Sequence, residues 1–263
     1  ARAALRDLIL TLADSKRVLG LRYSDRMLGS PTLEAGIAAS SMAQDEWGHA
    51  RLTYALLGDF GDDPKALEHE RDASEYRSIE ALDEDLDGWN GMIAAGMLVD
   101  MALTAQYAAL VDSRYAPVRN RVQKLLDEEK FHWQYAAGWA RRIAQVPELR
   151  AGLAAELGRM LPLALRWLGR DEAPGMRRLV EEGIVRDEPS ARRARFLARV
   201  GPLLDEIGAA AGVGVIRDGG EWTCTARLDW NGWNDATRRA GGALDEETAG
   251  RARGDKNRAL LMD

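Results

Sequence analysis

Two stretches of this 263-residue chain carry the same pair of side chains at the same spacing. "SMAQDEWGHARL" sets Glu46 three residues before His49, and "LLDEEKFHWQ" sets Glu129 three residues before His132. The chain has only three histidines, so two of them stand in this pattern. On an α-helix, residues three apart lie roughly 60° apart around the axis and close to one turn along it. A carboxylate and an imidazole so placed can aim at one point, and that donor set suits iron, manganese or zinc. A single Glu-x-x-His pair is ordinarily solvated decoration on a helix. Two pairs on separate helices make coincidence a poor explanation. The third histidine, His69, sits in the acidic stretch "LEHER" and reads as a solvated surface residue.

Helices must position these pairs, and the apolar spacing supplies them. Leu5, Ile9, Leu12, Leu19 and Tyr23 recur at four- and three-residue intervals, which predicts an amphipathic helix over the first 28 residues. "GSPT" at 29–32 breaks it, with Pro31 placed to open a second helix running to about Leu57. Residues 59–87 hold twelve acidic and three basic residues and read as a solvated connector outside the core. A third helix is expected over about 89–114, and a fourth follows the corner "YAPV" to about Gln145. Short, long, short connections describe a four-helix bundle of the ferritin-like kind, with one longer crossover. Glu46/His49 then fall on the second helix and Glu129/His132 on the fourth. Bundle sites for two metal ions use that alternation, with one carboxylate from each remaining helix.

Two further helices are expected at about 148–168 and 189–209. "VGVIRDGGEWTCTAR" reads as a short β-hairpin turning at Asp218-Gly219. The expected class is all-α: residues 1–146 a metal-binding four-helix bundle, 147–263 a helical extension packed on the same domain. Composition agrees, since three Phe and few runs of Val, Ile and Thr disfavour extensive sheet. A net charge of -6 gives no reason to expect nucleic acid. One cysteine, Cys224, rules out an internal disulfide, and no apolar run nears the roughly 18 residues of a membrane span. With no signal-peptide layout at the N-terminus, a cytoplasmic protein is expected.

The third helix offers Asp100, alone inside "GMLVDMAL"; a buried carboxylate there needs a metal, or a hydrogen bond from a Tyr or Arg of another helix. The first helix offers no carboxylate on its apolar stripe. Lys16 fills the interior slot, and Asp14 lies about 200° around the axis from it. Only five of the 36 basic residues are lysines, so a lysine on this face is conspicuous.

"SPTLEAGIAASSMAQDEWGHARL", "GMLVDMALTAQYAAL" and "RYAPVRNRVQKLLDEEKFHWQ" resemble the phenylacetic-acid catabolic family, the ferritin-like subunits of bacterial phenylacetyl-CoA epoxidase. The resemblance covers roughly residues 5–145 and, more weakly, the C-terminal part. It implies a ferritin-like fold and, in the catalytic subunit, a di-iron centre that activates dioxygen. Matched motif by motif, the ligand positions are Lys16, Glu46, His49, Asp100, Glu129 and His132. The catalytic subunit has Glu where this chain has Lys16, and the structural subunit has lost its metal-binding residues. One reading is therefore an oxygenase subunit holding one or two iron ions, with manganese as an alternative, that oxidises an aromatic or acyl-CoA substrate. The other is a non-catalytic structural subunit in which Lys16 replaces metal by a salt bridge to Glu46 or Glu129. Iron storage is disfavoured by the length of the chain and its C-terminal elements. The resemblance also implies a homodimer, or a heterodimer with a related ferritin-like subunit, and an electron-transfer reductase if the subunit is catalytic. A CoA-thioester substrate would need arginine contacts. Arg192, Arg193 and Arg195 form a candidate cluster, although such a cluster is more often a solvated helix face.

Overall fold

The computed structural model describes residues 1–255. Ten α-helices account for most of them: α1 (Arg2–Arg26), α2 (Leu33–Tyr54), α3 (Pro64–His69), α4 (Gly88–Ala95), α5 (Met101–Ala108), α6 (Ala116–Ala144), α7 (Pro147–Trp167), α8 (Pro174–Glu181), α9 (Pro189–Glu206) and α10 (Glu246–Arg253). One antiparallel hairpin, β1 (Val215–Asp218) and β2 (Glu221–Cys224), and a few short 3-10 and π turns make up the other regular structure among the described residues. The fold is thus the expected all-α one, a ferritin-like helical bundle with further C-terminal helices and a short hairpin. The hairpin loop is Gly219-Gly220, one residue later than the sequence suggests. Both residues have positive φ (55° and 93°), as a two-residue primed turn demands, and glycine adopts this without steric cost.

By contact the chain divides into two compact units, 1–85 with 232–263, and 86–231. This grouping follows packing rather than chain order and runs along a different line from the sequence division at 146/147. Residues 256–263 of the expected extension lie outside the described residues.

In the first unit α1 and α2 pack antiparallel over most of their lengths. Pro31 does not itself open α2. Thr32 caps it, its hydroxyl accepting from the Ala35 N–H at 3.1 Å. The helices approach closely because small residues line the seam: a Cβ on Gly20 would meet the Ala43 carbonyl at 3.0 Å and the Trp47 indole at 2.5 Å. α1 is less amphipathic than its stripe suggests, since every residue from Leu8 to Lys16 is buried. The acidic connector explains part of this and corrects the expectation of a solvated segment. Tyr76, Ile79, Ala81 and Leu82 are buried core, and the Ser15 hydroxyl accepts from the Ile79 N–H at 3.0 Å. Its charge is absorbed by local capping bonds and by ion pairs with distant segments, such as Asp62 with Arg6 and Asp83 with Arg239, which a count of acidic residues cannot reveal. His69 is half-buried rather than solvated, its Nδ1 lying 2.9 Å from the Arg253 carbonyl oxygen.

In the second unit the expected third helix is interrupted. A π-turn over Gly96–Asp100 separates α4 from α5, and the helical run stops at Ala108 rather than near 114. α6 packs antiparallel to this run, and α7 lies against α4 and α6. α9 holds the hairpin: a Cβ on Gly201 would meet the Trp222 ring at 2.5 Å, so only glycine admits that close contact. α8 and α10, each eight residues long, are too short for periodicity to announce them.

Candidate metal centre

On the α1–α2 seam, Lys16 and Glu46 are both fully buried and form an ion pair. Lys16 Nζ lies 3.0 Å from Oε1 and 2.9 Å from Oε2 of Glu46. His49, three residues further along α2, is also buried. An ammonium and a carboxylate withdrawn from water each lose several kcal/mol of hydration, which only a close, well-aligned pair offsets.

Asp14, two residues before Lys16, serves a different network, as its angle around α1 implies. Its carboxylate accepts from the Tyr54 hydroxyl at 2.5 Å, from Arg71 Nη1 at 3.0 Å and from the Arg77 N–H at 2.7 Å, and it pairs with Arg71 Nη2 as well. Burial and the adjacent Asp14 charge raise Tyr54 well above the ordinary tyrosine value. Burial works to lower Arg71, but the Asp14 charge outweighs it and holds the guanidinium above its usual value. This knot ties the connector to α1 and α2. Sequence reasoning missed it because Arg71 and Tyr76 stand in a stretch that looks like solvated acid.

In the second unit, three of the candidate residues converge. Asp100 closes the π-turn, and Glu129 and His132 project from one face of α6; all three are buried. His132 Nδ1 lies 3.1 Å from Asp100 Oδ2 and 3.5 Å from Glu129 Oε2. An imidazole, that of His132, is thus one partner of Asp100. Each of the three offers a ligand atom within 4.8 Å of the others, so they form a buried carboxylate–imidazole group able to bind a metal ion. A π-turn inserts one extra residue into a helical ladder, and such turns recur at functional sites. Here it falls on the residue that faces α6. Thr104, one turn beyond Asp100, donates its hydroxyl to Glu129 Oε2 at 3.1 Å. Sequence reasoning did not single out Thr104, and a hydroxyl four residues after an acid on one helix face is the signal that could have found it.

Arg192 is not the surface cation that its neighbours suggest. It is fully buried, donating to Gln106 Oε1 at 2.8 Å and to the Asp187 carbonyl at 2.6 Å. Burial pushes it down to about 10, against the pull of Asp187. Arg193 bonds the Gly169 carbonyl, and Arg195 pairs with Asp187. The cluster mainly joins α5, α9 and the loop before α9.

Among the described residues no helix is long and apolar enough to cross a membrane. A family model described as phenylacetic acid catabolic protein matches residues 1–221. The chain is 26% identical over 138 residues to one of the subunits of 1,2-phenylacetyl-CoA epoxidase of Escherichia coli (strain K12). That alignment covers 51% of this chain and 55% of the relative, so the chain spans about half the length of the curated relative it matches.

Proposed function

Because the chain belongs to the phenylacetic acid catabolic protein family, we propose that it is one subunit of a phenylacetyl-CoA epoxidase-type oxygenase, with a centre for a single divalent cation. The observation that carries this reading is the buried group of Asp100, Glu129 and His132. Its two carboxylates carry two negative charges, which one divalent ion neutralises, while Glu46 is already paired with Lys16. A second ion would leave uncompensated positive charge in a buried site, where a low dielectric makes it costly. The donor set fits iron, with manganese as the alternative, and such an ion would supply a centre for dioxygen chemistry.

In this reading the residues of the chain divide the work. Asp100, Glu129 and His132 hold the cation, Lys16 neutralises Glu46, and the helix seam keeps water from the pair. The subunit works beside a second, related ferritin-like subunit that carries the full metal set. The complex receives electrons from a separate reductase and acts on an aromatic acyl-CoA thioester. That the relative is named as one subunit of an epoxidase supports a multisubunit assembly.

The retention of both Glu-x-x-His pairs, with Glu46 beside Lys16, His132 beside Asp100 and Glu129 beside His132, favours a second reading in which this subunit itself activates dioxygen. Metal analysis of protein from iron- and manganese-supplemented cells separates the two. About one ion per chain is expected. Two iron ions per chain, with dioxygen consumption by the reduced isolated subunit, would establish the second reading instead. Metal content near zero would leave Lys16 as a full replacement for metal and remove the cation centre.

A further inference from the structure

We propose that Thr104 is a positioning residue for cation binding, acting through the Glu129 carboxylate. The inference rests on the cation centre proposed above and adds a residue that the motif spacing does not contain.

A threonine within a helix ordinarily turns its hydroxyl back to the carbonyl three or four residues earlier. This chain follows that habit elsewhere: Thr11 donates to the Leu8 carbonyl at 2.9 Å and Thr53 to the His49 carbonyl at 2.7 Å. Thr104 instead sends its hydroxyl across to α6, to Glu129 Oε2 at 3.1 Å. The same oxygen lies 3.5 Å from His132 Nδ1, the atom that also faces Asp100 Oδ2. Thr104 and Asp100 stand one helical turn apart on the run that faces α6, so one helix supplies both a candidate ligand and the donor that orients another.

The physical consequence concerns rotation of the Glu129 carboxylate. A glutamate has three side-chain torsions, and the last is broad and weakly restrained. With Oε2 tied by the Thr104 hydroxyl, the carboxylate plane is fixed toward His132 and Asp100. Partners that orient a metal ligand are commonly worth 10- to 100-fold in metal affinity.

The test is the affinity of the full chain for Co²⁺ and for Mn²⁺, each alone, in wild type, Thr104→Val and Thr104→Ser. Competition with a chromophoric chelator gives the affinity, and the Co²⁺ d–d spectrum reports ligand geometry. Thr104→Val keeps the shape of the side chain without the hydroxyl and is expected to weaken binding roughly 10- to 100-fold and alter the spectrum. Thr104→Ser should bind within about threefold of wild type with the wild-type spectrum, taking that as the bound below the same 10-fold effect. Circular dichroism and the metal-free melting temperature establish that each variant is folded. Wild-type affinity in Thr104→Val, or an equal loss in Thr104→Ser, overturns the role of Thr104 while leaving the cation centre in place. Failure of wild type to bind either ion overturns both.

Discussion

Lys16 of α1 and Glu46 of α2 face each other with no solvent exposure, the ammonium 2.9 and 3.0 Å from the two carboxylate oxygens. In the proposed reading the lysine supplies beside Glu46 the positive charge that a metal would otherwise supply.

Replacing Lys16 by Met removes the charge but keeps most of the volume. It leaves Glu46 buried without its ammonium, and the expected loss of stability is about 3–5 kcal/mol. Urea unfolding of wild type and Lys16→Met at pH 7 measures it. A loss below about 1 kcal/mol, the size of an exposed pair, would mean that water reaches Glu46.

Replacing Lys16 by Glu inverts the electrostatics. Without metal the new carboxylate repels Glu46, and the melting temperature should fall. With iron or manganese the charge now balances two divalent ions, so metal content should rise above that of wild type and restore the melting temperature. Elemental analysis and thermal melts with and without metal check both limbs. Unchanged occupancy would show that Lys16 does not limit the site.

Gly20 sets how closely α1 and α2 approach. A Cβ there would press on the backbone oxygen of Ala43 at 3.0 Å, and moving the Trp47 ring alone cannot relieve that. Gly20→Ala should therefore cost about 1–3 kcal/mol through overpacking, despite the better helix propensity of alanine. Denaturant titration followed by tryptophan fluorescence would detect both the loss and the displaced Trp47.

Tyr76 gives a prediction at high pH. Burial pushes its hydroxyl up to about 12, with Arg71 opposing, against an ordinary value near 10. Between pH 10 and 12 the folded chain holds a proton that the unfolded chain releases. The contribution is therefore full below about pH 10, and stability falls as pH rises through that window. Tyr76→Phe should flatten this part of the stability–pH curve. Because the Tyr76 hydroxyl is buried with no hydrogen-bond partner among the described residues, the same variant should cost little at pH 7. Unfolding free energies at pH 7, 10 and 11.5 test both statements.

Arg192 and Arg195 should behave as opposites. Arg192→Ala removes a buried guanidinium that bonds Gln106 and Asp187, and a loss of about 3–5 kcal/mol is expected. Arg195 is largely exposed, and its pairing with Asp187 should contribute no more than about 1 kcal/mol. Equal, small losses would return both residues to the role of surface cations.

The sequence by itself determined the helices of the bundle, because their apolar spacing and breakers are local properties. α2 and α6 lie close to where spacing, Pro31 and "YAPV" put them. Two Glu-x-x-His pairs, a lone Asp100 and a lysine on an apolar stripe were likewise legible, since each is a residue type at a fixed helical interval. The tertiary structure decided what those intervals cannot encode. Helical spacing does not give the extra residue of the π-turn at Asp100, which is a property of the hydrogen-bond ladder. It does not show that the acidic connector becomes core, because its charges find partners such as Asp14–Arg71 only across distant segments. Nor does it say whether the Thr104 hydroxyl turns to its own helix or to Glu129. Spacing along a chain fixes which face a side chain shares; only packing of one helix on another fixes which atom it meets.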